Sequence, residues 1–173
     1  ELYKEIRKDY PIFLTRDINT AKIWIKSKAK GSERYGMIAS SGAKRLRKYG
    51  IWIQNKVEAK KWFLNPKNDI RSSYFLEETA TEFDIQGLEL DWTIVCWDAN
   101  LRYNQNFEYY NFTGDSWKNI NKEEIRVYLK NAYRVLLTRA RQGFIIFVPQ
   151  GDSEDETMQT KFYDGVYDYL KNI

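Results

Sequence analysis

Three stretches of the sequence carry side chains that can do chemistry. The first is Thr81-Glu82-Phe83-Asp84-Ile85-Gln86-Gly87-Leu88-Glu89. A glycine there lets backbone approach a ligand closely. Gln86 and Glu89 flank it with an amide and a carboxylate, groups suited to sugar hydroxyls and phosphate neighbours. An ordinary polar turn would carry the same residues. The second stretch is Tyr133–Arg141, which ends Leu137-Thr138-Arg139-Ala140-Arg141 just ahead of the apolar run Phe144–Val148. An arginine placed where a helix ends can cap terminal carbonyls. It can also project a guanidinium that neutralises charge on a transferring phosphoryl group. The third is Gly36–Arg45, where an apolar run meets Ser40-Ser41-Gly42 and then Lys44 and Arg45. Alone, it reads first as a plain basic surface helix.

Composition removes other chemistries. The 173 residues contain no histidine and one cysteine, Cys96. Ser-His-Asp and Cys-His catalysis, His-ligated metals, zinc clusters and an internal disulfide are excluded together. One cysteine fits a reducing compartment, and a cytoplasmic protein is expected. No G-x-x-x-x-G-K-S/T and no G-x-G-x-x-G occurs, so no phosphate-cradling loop of the usual kind is encoded here. The net charge of +4 is uneven. Residues 1–71 carry 18 basic and 7 acidic side chains, whereas residues 150–173 carry 2 and 6. A basic first half suits a polyanion, and equally a solvated lysine-rich face. Two rivals follow. One is a non-catalytic nucleic-acid-binding module using basic and aromatic surface. The other is a Mg²⁺-dependent nuclease built on Glu77, Glu78, Glu82, Asp84, Glu89, Asp91 and Asp98, which lie close in sequence.

The elements that must position these residues read as α/β. Apolar strands are expected near 12–15, 36–40, 93–97 and 144–148, with a further one near 79–83. Helices are expected from Asp17 or Asn19 to about Gly31, over Ala43–Tyr49, over Lys56–Leu64, after Asn121, and at the C-terminus. Asn121 with Glu124 resembles a capping box, and Ile125, Tyr128, Leu129, Ala132, Leu136 and Leu137 form an apolar stripe. Strands apolar on both faces, alternating with helices, predict a parallel sheet covered on both sides. Ala99–Asn121 is a polar insertion, expected as a hairpin about Thr113-Gly114-Asp115. Its Arg102, Tyr103, Tyr109, Tyr110 and Trp117 offer groups to a nucleic-acid path, or pack on the domain edge. No apolar run approaches the roughly 18 residues of a membrane span. The sequence starts Glu1-Leu2-Tyr3 with no leader pattern and no Met, so a piece of a longer protein is expected.

The three stretches together resemble the second RecA-like domain of superfamily 1 DNA/RNA helicases. T-E-F-D-I-Q-G-L-E resembles motif V, L-L-T-R-A-R resembles motif VI, and the junction ending at Arg45 is similar to motif IV. Thr81–Trp97, Asn131–Arg141 and Gly151–Leu170 are similar to the Schlafen group 3-like DNA/RNA helicase family. The resemblance implies one three-layer RecA-like domain over 1–173, without its own P-loop. It implies that Arg139, assisted by Arg45, meets the γ-phosphate of ATP at a cleft shared with a first RecA-like domain of the same polypeptide. That first domain would hold most of the ATP and Mg²⁺. Gln86, Gly87 and Glu89 would line the cleft, with Glu89 on the ribose. Thr81 and Arg141 would contact single-stranded DNA or RNA. Isolated, the domain would be inactive.

Overall fold

The structure, a computed structural model, describes residues 10–53 and 56–173. Five parallel strands form the central sheet: β1 (Ile12–Thr15), β2 (Tyr35–Ala39), β3 (Thr79–Thr81), β4 (Leu90–Cys96) and β8 (Ala140–Phe147), in the spatial order β1-β8-β4-β2-β3. The register aligns Ala39 with both Thr81 and Cys96, and Cys96 with Phe147. All five strands therefore end at one edge and begin at the other.

The side-chain alternation of the strands divides the interior into two cores. Met37, Ala39, Ile94, Cys96, Ile145 and Phe147 face helix α1 (Ile18–Lys28), which buries Ile18, Ala21 and Ile25 against them. Ile38, Val95 and Ile146 face the other side, with Leu129, Tyr133 and Leu136 of α3 (Glu123–Leu137) and Tyr163 and Val166 of α4 (Lys161–Asn172). Trp62 of the short helix α2 (Ala59–Leu64) is fully buried in this second core. The result is the three-layer, RecA-like α/β architecture. Asp17 starts α1 by accepting from the backbone N–H groups of Asn19 and Thr20, which leave two helix donors satisfied. Cys96 is buried in the apolar centre, and burial pushes its thiol up to about 12, so it stays neutral and unreactive.

Three local expectations change. Ala43–Tyr49 is not an α-helix. Successive tight turns, Ala43 N–H to Ser40 O and Lys44 N–H to Gly42 O, leave only a 3₁₀ turn at Leu46–Tyr49 before Gly50 (φ 76°) ends it. The Asn121/Glu124 capping box does not form, because Lys122 occupies the cap position and no side chain caps it. Ile125 and Tyr128 stay nearly half exposed, and only Leu129, Ala132, Tyr133 and Leu136 of the stripe's helix are buried. Residues 99–121 make a second, antiparallel sheet of three strands, β5 (Leu101–Asn104), β6 (Asn106–Thr113) and β7 (Ser116–Asn119), turning at Gly114-Asp115. Among the described residues no helix is long and apolar enough to cross a membrane.

Candidate functional site

Sequence order and strand direction send the three stretches to different edges of the sheet. After β3, Thr81 is buried, and both its N–H and its Oγ1–H donate to Asp84 Oδ2 at 2.8 Å. Asp84 and Ile85 return their N–H groups to Thr81 O. This closed turn commits the Thr81 hydroxyl proton inward. The chain then descends through exposed Gln86 and Gly87 to the edge where β4 begins. Gly87 has φ 74°, with open space where a Cβ would stand. Its requirement for glycine is therefore conformational rather than steric. Glu89, the last residue before β4, is exposed.

Arg139 arrives at the same edge from α3. Leu90 N–H donates to Arg139 O at 3.0 Å, so the Q-G-L-E turn and the T-R-A-R turn are joined side by side. The helix end is closed by Thr138, whose Oγ1 donates to Arg134 O at 2.9 Å and Val135 O at 3.2 Å. The Arg139 backbone N–H reaches Leu136 O at 3.5 Å, but among the described residues its guanidinium caps no carbonyl. Its side chain is half-buried, and its Nε has no hydrogen-bond partner among the described residues. Arg141, two residues into β8, is exposed.

The same edge is tied together by Glu33. Its carboxylate accepts from Trp92 Nε1 at 3.0 Å, Lys30 N at 2.8 Å and Gln142 Nε2 at 2.9 Å, linking β4 and β8 to the entry of β2. These donors, the Trp92 indole foremost, hold its carboxyl down to about 2. The unfolded carboxyl titrates near 4.3, about the ordinary glutamate value. A depressed acid stabilises the fold above that pH and loses its contribution as pH falls through the folded value. The thermal midpoint difference between the native chain and Glu33→Gln should therefore be constant near neutrality and close between about pH 4.3 and 2. A difference that stayed constant into that acid range would show that Glu33 does not act through its charge.

Arg45 lies at the opposite edge, beyond the end of β2. Its N–H donates to Asp98 Oδ2 at 2.8 Å, its Nη2 pairs with Asp155 Oδ2 at 3.0 Å, and its guanidinium lies over Phe112. The structure thus brings Arg139 together with Glu89, but not with Arg45. Here sequence reasoning missed a polar network. Asp98 is fully buried and accepts from Arg45 N, Ala99 N and Tyr163 Oη; burial pushes its carboxyl up against the pull of these donors. Tyr133 Oη donates to Asn100 Oδ1 at 2.7 Å, and Asn100 Nδ2 donates to Ser40 Oγ at 3.1 Å. Glu82 accepts from Ser41 N and Oγ at 2.7 and 2.6 Å. The signal was Asp98-Ala99-Asn100 directly after the unbroken apolar run of β4, since polar groups at a buried strand end need partners.

The acidic residues crowded between 77 and 98 are separated by the fold, with Glu82 on Ser41, Asp84 on Thr81, and Asp98 on Arg45 and Tyr163. Among the described residues no group of three His, Cys, Asp or Glu side chains is arranged to hold a metal ion. Of the two expectations for the insertion, packing on the domain edge describes Arg102, Tyr103 and Trp117. Arg102 is buried, stacked between Phe162 (3.5 Å) and Tyr110 (3.9 Å), with Nε donating to Ala99 O. Trp117 Nε1 donates to Thr157 O, and Tyr103 stacks on Tyr169. These three groups hold the insertion onto the domain, Arg102 buried and Tyr103 and Trp117 half-buried.

Residues 1–150 match the family model described as Schlafen group 3, DNA/RNA helicase domain. No curated protein and no solved structure matches the chain.

Proposed function

Since the chain belongs to the Schlafen group 3 DNA/RNA helicase domain family, we propose that it is the second RecA-like motor domain of an ATP-dependent helicase or translocase. Its work is to present Arg139 to the γ-phosphate of ATP across a cleft shared with a first RecA-like domain. The observation that carries this reading is the backbone bond from Leu90 to Arg139, which sets Glu89 and Arg139 on one edge of the sheet. Because Thr138 caps the helix, the guanidinium is available for charge that develops elsewhere.

The residues at this edge suit a nucleotide held mainly by another domain. Gly87 turns the backbone with open space beside it, Glu89 is an exposed acceptor for a ribose hydroxyl, and Gln86 is an exposed amide. In this reading Mg²⁺ is held mainly by the other domain, with the phosphates of ATP. ATP supplies the phosphoryl group, and this chain supplies positive charge that fits best when the cleft is closed. Closure and release then follow the γ-phosphate, and nucleic acid crossing both domains is moved. Arg45, at the other end of the strands and paired with Asp155, holds the 151–158 loop in this reading rather than assisting Arg139.

Calorimetric titration of Mg-ATP into the isolated chain should show no tight binding, because no P-loop is present. Micromolar binding without a partner domain would mean that a nucleotide site resides in this chain alone, and the shared-cleft reading would fall.

A further inference from the structure

A cleft of about 570 Å³ opens at the edge where the strands end, between the loop after β2, the first turns of α3 and the inserted sheet. Its volume is that of a small-molecule site. It is not an ordinary phosphate cradle. The backbone N–H groups of the loop after β2 are already used, Ser41 by Glu82, Gly42 by Ser40 Oγ, Ala43 by Ser40 O and Arg45 by Asp98. Any anion recognised here must meet side chains.

Those side chains are of one sign. Lys44, Lys118 and Lys122 line the cleft, and no carboxylate does. Lys44 donates to Phe112 O at 3.0 Å and thereby fixes the inserted sheet as a wall. Lys118 and Lys122 are exposed and make no ion pair among the described residues. The floor is apolar and partly open, with Ile125 at 45% and Tyr128 at 46% exposure, although the sequence pattern places both on the helix's inward stripe. Phe83 stacks beside the Tyr128 ring at 6.2 Å and the Tyr128 hydroxyl donates to Glu82 Oε1 at 3.4 Å, which steadies the ring at the wall of the cleft. Exposed carboxamides, Asn119 among them, stand at the rim. A flat aromatic face, exposed amides and lysines without ion pairs within one cleft match, respectively, the π-face, the hydrogen-bonding edge and the phosphates of a nucleotide.

We propose that this cleft seats an unstacked nucleotide of a single strand, with the base against Tyr128 and the flanking phosphates on Lys118 and Lys122. The proposal rests on the reading above only in taking single-stranded nucleic acid as the substrate. It adds a contact on the face opposite to Arg139, built by the insertion.

The test is fluorescence anisotropy with labelled oligo-dT and oligo-U over a range of salt. Tyr128→Ala should weaken binding by about tenfold at fixed salt. The Lys118→Ala/Lys122→Ala pair should lower the salt slope by about 0.7 per lysine removed. Unequal losses for the two oligonucleotides would identify which strand chemistry the cleft prefers. All three positions are exposed, so the variants should keep the native circular dichroism spectrum. A control pair, Lys26→Ala/Lys60→Ala, removes the same charge from α1 and α2, away from the cleft. An equal loss in the control pair would assign binding to a diffuse basic surface and overturn the proposal. So would unchanged binding in the cleft variants, or no binding by the native chain. None of these outcomes touches Arg139, whose role is read from ATP turnover in the full-length protein. Conversely, normal turnover without Arg139 would leave the cleft standing.

Discussion

Arg139→Ala in the full-length protein should lower nucleic-acid-stimulated ATP hydrolysis by about 10³-fold or more, the range an arginine contributes in related phosphoryl transfers. The fold should survive. The helix end is closed by Thr138, and the guanidinium makes no ion pair among the described residues. Truncation therefore removes part of a half-buried stem and one buried Nε without a partner. The stability loss should be within about 1 kcal/mol, or roughly 2–4 °C in thermal midpoint. Lysine should restore little, because a point charge lacks the planar fork that matches phosphate oxygens. Arg141→Ala supplies the internal comparison. Arg141 is exposed and lies two residues farther on, so turnover at saturating nucleic acid should change far less. Near-normal kcat in Arg139→Ala, or loss of activity that tracks unfolding, would remove Arg139 from the phosphate site.

Much of the framework follows from short-range pattern. β1, β2, β4 and β8 stand where apolar runs occur, and α1 starts at Asp17 because a carboxylate there satisfies two orphan N–H groups. The edges were also accessible to sequence reasoning. In a parallel sheet, residues that precede strands lie at one edge and residues that follow strands lie at the other. Glu89 and Arg139 precede β4 and β8, whereas Arg45 follows β2. A motif match alone ignores this direction, and so grouped Arg45 with Arg139. What pattern did not carry was long-range pairing. Ile125 and Tyr128 satisfy the helical stripe, yet they line an open cleft rather than the core. Arg102 reads as a surface cation in a polar segment, but two aromatic rings, one of them sixty residues away, enclose it. Asp98, Asn100 and Tyr133 acquire their roles only when α3 and α4 dock over the ends of the strands.

Gly165→Ala should be the most destabilising single change that adds only a methyl group. Gly165 lies within α4, which packs directly on β5. A Cβ there would overlap Tyr103 O and stand 3.1 Å from Tyr103 C. The obstructing atoms are backbone, so no side-chain rotation relieves the clash, and α4 must move away from β5. That displacement would disturb several contacts at once: Phe162 over Arg102 at 3.5 Å, Tyr169 against Tyr103 at 4.2 Å, and the Tyr163 hydroxyl on Asp98 at 3.0 Å. Two effects of opposite sign compete. Alanine in a helix interior is favoured over glycine by about 1 kcal/mol. Forced overpacking costs about 1–3 kcal/mol, and more where backbone meets backbone. The steric term should win by about 1–2 kcal/mol, lowering the thermal midpoint by roughly 2–8 °C at about 2–4 °C per kcal/mol for a chain of this size. Gly114→Ala separates this mechanism from simple backbone strain, since Gly114 has φ 66° with open space around it. Its loss should be smaller and should leave the near-ultraviolet circular dichroism of the Tyr103, Phe162 and Tyr169 cluster unchanged, whereas Gly165→Ala should alter that spectrum before global unfolding. A raised midpoint in Gly165→Ala would mean that helix propensity outweighs the contact. The inserted sheet would then not be held against α4 at this distance, and the wall of the cleft would lose its support.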